Sequence, residues 1–256
     1  MKRANSNSKK ASGILWLDEL STKQAEKAAK AGTVVIFPIG SVEEHGEHLP
    51  LCTDSIQPEY IALEVAKRTG CLVAPPLRYG ICNAGRNFAG TLSIEFDSLR
   101  GITQDILSEL VRNGFNKIMV LSGHSGSSHM AALKLAAQKV VLQSAKTPSA
   151  GKTRIMVLSD FDLAFEVKEK LGFPQKDGHA GAIETARVMA IKPYLIKAKG
   201  EASFPEMPRF EIVADPERYF PSGVDGDPTA ATEEKGKKIN AYVVNGVAKL
   251  VEELKK

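Results

Sequence analysis

The sequence TVVIFPIGSVEEHGEHLPLCTD, residues 33–54, joins a short apolar run to a polar segment rich in histidine and carboxylate residues. The run at 33–39 is rich in β-branched residues and is too short for a typical helix. A continuous apolar run of this length is typical of a strand buried on both faces, as in a parallel sheet. The polar segment then follows the carboxyl end of a buried strand, which is where open parallel sheets bind their ligands.

The same alternation of apolar runs and longer periodic segments continues along the chain. Further strands are predicted at 72–75, 117–122 and 154–159. Repeated strand–loop–helix units favour a three-layer α/β fold, with a mainly parallel sheet and helices on both faces. Residues 77–92 and 200–229 lack periodicity, and loops of such length are usually functional or disordered. Helices are predicted at 21–30, 58–69, 98–113, 128–143 and 182–191, with a last helix from about residue 232.

Composition argues against a dedicated nucleic-acid or membrane surface. The 256 residues carry 34 basic and 30 acidic side chains, which gives a formal net charge of +4. Four of the basic residues, Lys2, Arg3, Lys9 and Lys10, fall within residues 1–13. The rest of the chain is therefore close to neutral, unlike proteins that bind polyanions. The expected partner is a small molecule.

Residues 1–13 are polar and Ser-rich, and they lack the hydrophobic stretch of a secretory signal. We expect a short disordered arm over 1–13, followed by one domain over 14–256. No apolar run approaches the roughly 18–20 residues of a membrane span. The chain has three cysteines, an odd number that suits a reducing compartment. The expected location is the cytoplasm.

Histidines are concentrated after the predicted strands. Four of the five follow the first and third strands, and His179 follows the fourth. Because the first and third strands are neighbours in a doubly wound sheet, the polar residues after them should meet at one crevice. Two histidines and two carboxylates suit a borderline divalent metal, and a shared carboxylate would allow two ions. The alternative is a solvated acidic loop with surface histidines. The residues expected to converge are Glu43, His45, Asp54 and His124.

Other functional motifs fit the same positions less well. The segment HGEH at 45–48 is not the H-E-x-x-H pattern of zinc proteases, since Gly46 and Pro50 make a helix unfavourable there. The loop 123–128 lies between a strand and a helix, where backbone N–H groups could cradle a phosphate. It lacks both G-x-G-x-x-G and a P-loop lysine, so a non-catalytic nucleotide-binding module is the weaker alternative. No G-x-S-x-G nucleophile elbow is present.

Several segments resemble one enzyme family. Residues 40–54 resemble the G-S-x-E-Q-H-G-x-H-L-P-x-x-T-D block of the creatininase (creatinine amidohydrolase) family, with Glu44 at the usual glutamine position. Residues 88–93, FAGTLS, resemble its F-x-G-T-x-S loop, and residues 123–127, GHSGS, resemble its G-H-G-G-N loop. Residues 179–185, HAGAIET, match its H-A-G-x-x-E-T segment.

The resemblance implies a hydrolase of cyclic amides or related C–N bonds that uses two divalent metal ions per chain. The metal is expected to be zinc, paired with zinc, manganese or iron. Creatininase has a glutamate two residues after the histidine that matches His124, where this chain has Gly126. We therefore assign the fifth ligand to Glu184, at a predicted helix start. The ligand set so implied is Glu43, His45, Asp54, His124 and Glu184, with Asp54 bridging both ions.

His179 is predicted to transfer protons without binding metal, because a hydrolysis that releases an amine must protonate the departing nitrogen. Its ordinary pKa of about 6.5 suits that exchange. Glu184 is expected to act beside it, either as a ligand or by orienting the imidazole. The family assembles into hexamers, so a homo-oligomer is expected, with residues 200–229 as an interface arm.

Departures from the family pattern predict that creatinine is a poor substrate. Creatininase closes its pocket with tryptophans, whereas the matching regions here hold Phe161 and Lys176 or Asp177, and the only tryptophan is Trp16. The expected substrate is a small cyclic amide or formamide; the alternatives are a cyclic polyol ketone or a short peptide. Substrate contacts are predicted for Arg86, Gly90, Thr91 and Ser125.

Overall fold

Four parallel strands form one sheet in the order β2-β1-β3-β4. The computed structural model describes residues 13, 15–146 and 152–256, so the predicted arm lies outside the described residues except for Gly13. The strand ends are level, because Ile39 pairs with Ser122 and Ser122 pairs with Ser159. The segments after β1, β3 and β4 therefore emerge at the same edge. The strands are β1 (Val35–Ile39), β2 (Leu72–Val73), β3 (Lys117–Ser122) and β4 (Arg154–Ser159).

Helices cover both faces of the sheet, which confirms the three-layer α/β prediction. The strands alternate between the faces: Ile36 and Met119 pack towards α2, α6 and α7, whereas Phe37 and Val120 pack towards α3 and α4. This is the two-residue period of a strand buried on both sides. The helices are α1 (Thr22–Lys30), α2 (Thr53–Thr69), α3 (Phe96–Arg112), α4 (Ser127–Ser144), α5 (Asp160–Ala164), α6 (Ala182–Ile191) and α7 (Glu233–Lys255).

Helix α2 begins five residues before the predicted start at 58. It opens at Thr53 and contains Pro58 in its interior, so the predicted start at residue 58 was wrong. Asp54 consequently lies in the first turn of α2. A carboxylate is favoured there, because the helix dipole places partial positive charge at its N-terminus. Strand β2 is also shorter than predicted, and the other predicted element ends match the structure or differ from it by one or two residues.

The two long aperiodic segments lie over the carboxyl edge of the sheet. Residues 74–95 and 192–232 contain only single helical turns and isolated bridges. Backbone hydrogen bonds hold the second segment against the polar loops, from Lys197 N–H to the His48 carbonyl and from Asp225 N–H to the His179 carbonyl. Within the part of the chain that the structure describes, no helix has the length and apolarity to cross a bilayer.

Candidate metal centre

The loops after β1, β3 and β4 enclose a cavity of about 400 Å³. The N-termini of α2 and α6 complete its floor, since they carry Asp54 and Glu184. The predicted ligand residues all converge here, which fits the expectation that the ends of neighbouring parallel strands share one crevice. They are almost fully buried. We refer to Glu43, His45, Asp54, His124 and Glu184 as the carboxylate–histidine cluster.

Asp54 lies at the middle of the carboxylate–histidine cluster, with each carboxylate oxygen directed at a different imidazole. Its Oδ1 is 3.1 Å from His45 Nε2, and its Oδ2 is 2.9 Å from His124 Nδ1. The Ser41 hydroxyl donates a hydrogen bond of 2.6 Å to Oδ2 and fixes the carboxylate orientation. One carboxylate is thus placed to serve two positions, one on each side.

Each of the two imidazoles has a backbone carbonyl at one nitrogen and carboxylates at the other. His45 Nδ1 is 3.1 Å from the Glu43 carbonyl oxygen, and His124 Nε2 is 2.9 Å from the Ile81 carbonyl oxygen. A carbonyl only accepts hydrogen bonds, so these two nitrogens carry the protons. The opposite nitrogen of His45 also faces Glu184 at 3.6 Å, and that of His124 faces Glu43 at 3.1 Å. Metal-binding histidines are oriented in this manner.

Charge in the carboxylate–histidine cluster perturbs its titration. Burial lowers the pKa of His45 and His124, but the surrounding carboxylates outweigh it, and both pKa values lie well above 6.5. Burial raises the pKa of Asp54, but His45 and His124 outweigh it, and that pKa lies well below its usual range. Glu43 Oε2 is buried and has no hydrogen-bond partner among the described residues. A buried carboxylate oxygen that makes no hydrogen bond is costly unless a cation or a proton satisfies it, and here the nearest such group is the His124 imidazole at 3.1 Å.

The possible ligand atoms fall into two groups, each with all atoms within 4.8 Å of one another. One group is Glu43, Cys82 and His124, and the other is His45, His179 and Glu184. Gly126 stands where creatininase has a glutamate, and a Cβ there would lie 2.6 Å from His124 Nε2. A larger residue at 126 therefore clashes with the observed imidazole, whereas Glu184 reaches the His45 side from α6. Four of the five predicted ligand residues fall in these two groups and Asp54 lies between the groups, and their role as metal ligands stays a prediction.

His179 belongs to the second group, and its ring centroid lies 4.3 Å from that of His45. Its Nε2 is 2.8 Å from the Glu44 carbonyl oxygen and 3.2 Å from the Glu44 carboxylate. Burial and the neighbouring His45 lower the pKa of His179, but Glu44 and the other carboxylates outweigh them and the pKa is raised. The grouping with His45 and Glu184 is compatible with metal ligation as well as with the predicted proton transfer.

Of the four predicted substrate contacts, Ser125 lines the cavity. Arg86 is more than half exposed and lies 3.8 Å from Glu95, and Gly90 lies against Leu51. Thr91 accepts a hydrogen bond of 3.0 Å from the Glu44 backbone N–H, so it supports the loop after β1. These three residues are not among those that line the cavity, and their substrate contacts remain predictions.

Three residues in or beside the cavity were not predicted from the sequence. Glu44 was noted only as a departure from the family block, yet its carboxylate is buried beside His179. Phe220 comes from the aperiodic segment and packs 5.6 Å from the His179 ring. Cys82 belongs to the long loop before α3, and only the unusual length of that loop indicated a function.

The remaining two histidines support the loops of the site. His48 Nε2 is 3.0 Å from the Thr185 hydroxyl, which joins the first loop to α6. His129 lies 4.8 Å from the His124 ring and hydrogen-bonds Ser122 at 3.1 Å. Burial and the adjacent His124 lower the pKa of His129 to about 3. It is therefore a neutral scaffold residue at physiological pH.

Comparison with known proteins identifies the family to which this chain belongs. The family model for creatininase, described as creatinine amidohydrolase, matches residues 18–251. The chain belongs to the creatininase family. It is 30% identical to the creatinine amidohydrolase of Pseudomonas putida, over 93% of this chain and 96% of the relative. The prediction of a creatininase-family hydrolase acting on C–N bonds is confirmed.

Other relatives carry different activities. A mycofactocin precursor peptide peptidase from Mycobacterium ulcerans is 29% identical over 90% of this chain and 88% of the relative. A 3-dehydro-scyllo-inosose hydrolase from Thermotoga maritima is 28% identical over 43% of this chain and 36% of the relative. Family membership therefore leaves several substrate classes open.

The solved creatininase structures share the fold over nearly the whole chain. A crystal structure of creatinine amidohydrolase superposes with a TM-score of 0.86 at 27% identity, covering 94% of this chain and 98% of that one. A manganese form of creatininase gives a TM-score of 0.84 at 28% identity, with the same coverage of both chains. A variant described as Zn-Zn type gives 0.80 at 28% identity, again with that coverage.

Proposed function

We propose that this creatininase-family hydrolase is a binuclear metal enzyme that opens a small cyclic amide or cleaves a formamide. The observation that carries this proposal is the position of Asp54 between two imidazoles whose far nitrogens are tied to backbone carbonyls. A shared carboxylate between two nitrogen donors is the arrangement that two adjacent divalent ions require. Zinc with zinc, manganese or iron fits the oxygen and nitrogen donors.

The residues present fit such ions. Asp54 and Glu43 would hold one ion with His124, while Asp54 and Glu184 would hold the second with His45. Glu43 Oε2 supports this, because it is buried without a hydrogen bond among the described residues and a cation would satisfy its charge. When bound, two divalent ions supply Lewis-acid polarisation of a carbonyl and a water of lowered pKa.

The protein's own groups supply orientation and proton transfer. The Glu44 carbonyl fixes a proton on His179 Nε2, so the neutral ring has a lone pair only on Nδ1. His179 can therefore take up a proton at Nδ1 and deliver it to a departing nitrogen. Phe161 and Phe220 line the cavity and limit water access beside the polar floor. The aromatic lining also suits a planar or cyclic substrate.

A nucleotide-binding role without catalysis is disfavoured by charge. The loop 123–128 lines the same cavity as Glu43, Glu44, Asp54 and Glu184, and carboxylates repel a phosphate. A short peptide remains the second candidate, on the strength of the mycobacterial relatives. We also propose a homo-oligomer, as the family resemblance implies, and a cytoplasmic location, because free thiols such as the three cysteines persist in a reducing compartment.

Metal content of Asp54→Ala tests the binuclear assignment. Because Asp54 offers an oxygen to each side, its loss should remove both ions, whereas Glu43→Ala and His45→Ala should each remove one. Elemental analysis of the purified proteins measures this, with circular dichroism as the folding control. Two ions retained in Asp54→Ala would rule out the bridging role.

A substrate screen tests the reaction class. Metal-reconstituted protein is assayed against small lactams, formamidopyrimidines, inososes, short peptides and creatinine, with release of amine or formate as the readout. We expect turnover of a lactam or formamide and poor turnover of creatinine. Creatinine turnover at roughly 1–10³ s⁻¹, typical of an enzyme on its own substrate, would contradict the proposal.

A further inference from the structure

Cys82 lies inside the carboxylate–histidine cluster but belongs to none of the functional motifs. It is fully buried, and its sulfur lies within 4.8 Å of ligand atoms of Glu43 and His124. The other cysteines, Cys52 and Cys71, are not part of either ligand group found among the described residues. All three are free thiols, so none is engaged in a disulfide.

A second, independent observation points into the same space. Glu43 is 3% exposed, and its Oε2 has no hydrogen-bond partner among the described residues. This oxygen lies 3.1 Å from His124 Nδ1, the nitrogen that is not tied to a carbonyl. Ligand atoms of Glu43, His124 and Cys82 therefore lie within 4.8 Å of one another, and Glu43 Oε2 makes no hydrogen bond among the described residues.

The backbone holds Cys82 in this position with specific hydrogen bonds. Its N–H donates to the Ser93 hydroxyl at 3.0 Å, and the preceding Ile81 N–H donates to His129 Nδ1 at 3.3 Å. The Ile81 carbonyl accepts the His124 Nε2 proton at 2.9 Å. The pair Ile81–Cys82 therefore orients His124 from one side and presents a thiol from the other, as a built part of the site.

We propose that Cys82 is a thiolate ligand of the ion held by Glu43 and His124, an inference that rests on the proposed binuclear function. The Sγ–metal bond forms as the thiol proton leaves to solvent, because a thiol that coordinates a metal is deprotonated. With Asp54 and Cys82, this ion has four protein ligands. Four-ligand tetrahedral sites are closed, whereas catalytic ions keep an open position. The open coordination position then belongs to the ion on the His45 and Glu184 side.

The donor set predicts which metal occupies each side. A thiolate with imidazole and carboxylate suits zinc, while carboxylate-rich sites accept manganese more readily. The Cys82 side should therefore retain zinc, and the His45 side should be the one that exchanges for manganese. The two ions of this chain would be chemically unequal.

X-ray absorption at the zinc edge of the wild-type holoprotein tests the proposal without any variant. We expect an average of half a sulfur scatterer per zinc at about 2.3 Å, distinct from the nitrogen and oxygen shell near 2.0–2.1 Å. Two bound zinc ions with no sulfur shell would overturn the inference and leave the binuclear function intact. Absence of bound metal would instead overturn the proposed function itself.

Cobalt substitution assigns the sulfur to Cys82. The wild-type protein and a Cys52→Ser/Cys71→Ser control should both show a thiolate-to-cobalt charge-transfer band, and Cys82→Ser should lose it. Cys71 is a matched control because it is also a buried thiol, 2% exposed. A band that persists in Cys82→Ser, or that disappears in the control pair, would refute the assignment to Cys82.

Discussion

The nitrogens of His45 and His124 that face the carboxylates have two alternative partners, a proton or a metal ion. Both rings have pKa values raised well above 6.5, because Asp54, Glu43 and Glu184 outweigh the effect of burial. A metal ion must displace these protons, since only the neutral imidazole is a ligand. Metal binding and proton binding at these two residues are therefore competitive.

Metal affinity should consequently rise with pH across the neutral range. We expect proton release when metal-free protein binds zinc at pH 7, because His45 and His124 are then protonated. Calorimetry in buffers of different ionisation enthalpy measures the released protons. Binding at pH 7 without proton release would show that these imidazoles are neutral in the metal-free protein.

The stability of the metal-free protein should fall as the pH rises, whereas metal affinity rises. A histidine whose pKa is raised on folding stabilises the protein below its unfolded pKa of about 6.5, and the stabilisation is lost as pH rises through the raised value. Asp54, whose pKa is lowered, stabilises the folded protein above about pH 4. That stabilisation is lost as the pH falls further. Melting curves of chelator-treated protein should thus show Tm falling from pH 6 to 9. Metal-loaded protein serves as the control and should not show that fall.

His179 is the residue whose role is most sharply tested by substitution. Under the proton-transfer prediction, His179→Ala keeps both ions and loses roughly 10²–10⁴ in turnover. His179 also lies beside His45 and Glu184. If His179 were a metal ligand, His179→Ala would lose one ion. Turnover and elemental analysis of the same preparation separate the two, and near-normal turnover would assign His179 to structure alone.

At the scale of elements, one buried ion pair joins the segments that carry the site. Arg187 of α6 donates to Asp160 of α5, with Nη2–Oδ2 at 2.5 Å, and to Asn240 of α7 at 3.0 Å. Both charged residues are fully buried. Glu184 lies one turn before Arg187, and Phe161 follows Asp160 directly. The pair therefore fixes α6 and α5 relative to each other beneath the cavity.

Breaking this pair from one side should be more harmful than removing it entirely. Asp160→Ala leaves the Arg187 charge uncompensated, and we expect a loss of about 3–5 kcal/mol in the free energy of unfolding. The double variant Asp160→Leu/Arg187→Met should be less destabilised than the sum of the single variants. Urea unfolding of the wild-type protein, Asp160→Leu, Arg187→Met and the double variant measures the coupling; additive losses would show that the two charges do not interact.

The elements also show what the sequence could and could not predict. The strands were predictable because each is a short apolar run that ends in a polar loop, and parallel connection then brings residues 43–45 and 124 together. The predicted start of α2 was wrong because Pro58, a residue favoured in the first turn of a helix, was the predicted first residue, whereas α2 begins at Thr53. Cys82 was missed because its meeting with Glu43 depends on how the long loop folds back over the sheet. A contact between two distant loops produces no periodic pattern of residues in the sequence.

At the scale of the whole molecule, the most exposed large apolar side chains among the described residues lie in one surface segment. Residues 204–212 expose several large apolar side chains, including Phe210 at 92% and Ile212 at 98%. The guanidinium of Arg209 lies 4.8 Å from the Phe210 ring, which leaves the remainder of that ring open to solvent. Large exposed apolar patches commonly mark surfaces that bind another protein. The segment belongs to the aperiodic region predicted to form an interface arm.

Burial of this segment between copies of the chain should therefore control the oligomeric state. We expect wild-type protein to assemble and Phe210→Glu/Ile212→Glu to form smaller species, because a charge buried at an apolar interface is costly. Light scattering after size-exclusion chromatography measures the mass. Leu142→Glu is the control, since Leu142 is an apolar residue of α4 that is 58% exposed. Equal masses for the wild-type protein and the double variant would exclude the segment from the interface, and dissociation of Leu142→Glu alone would place the interface on α4.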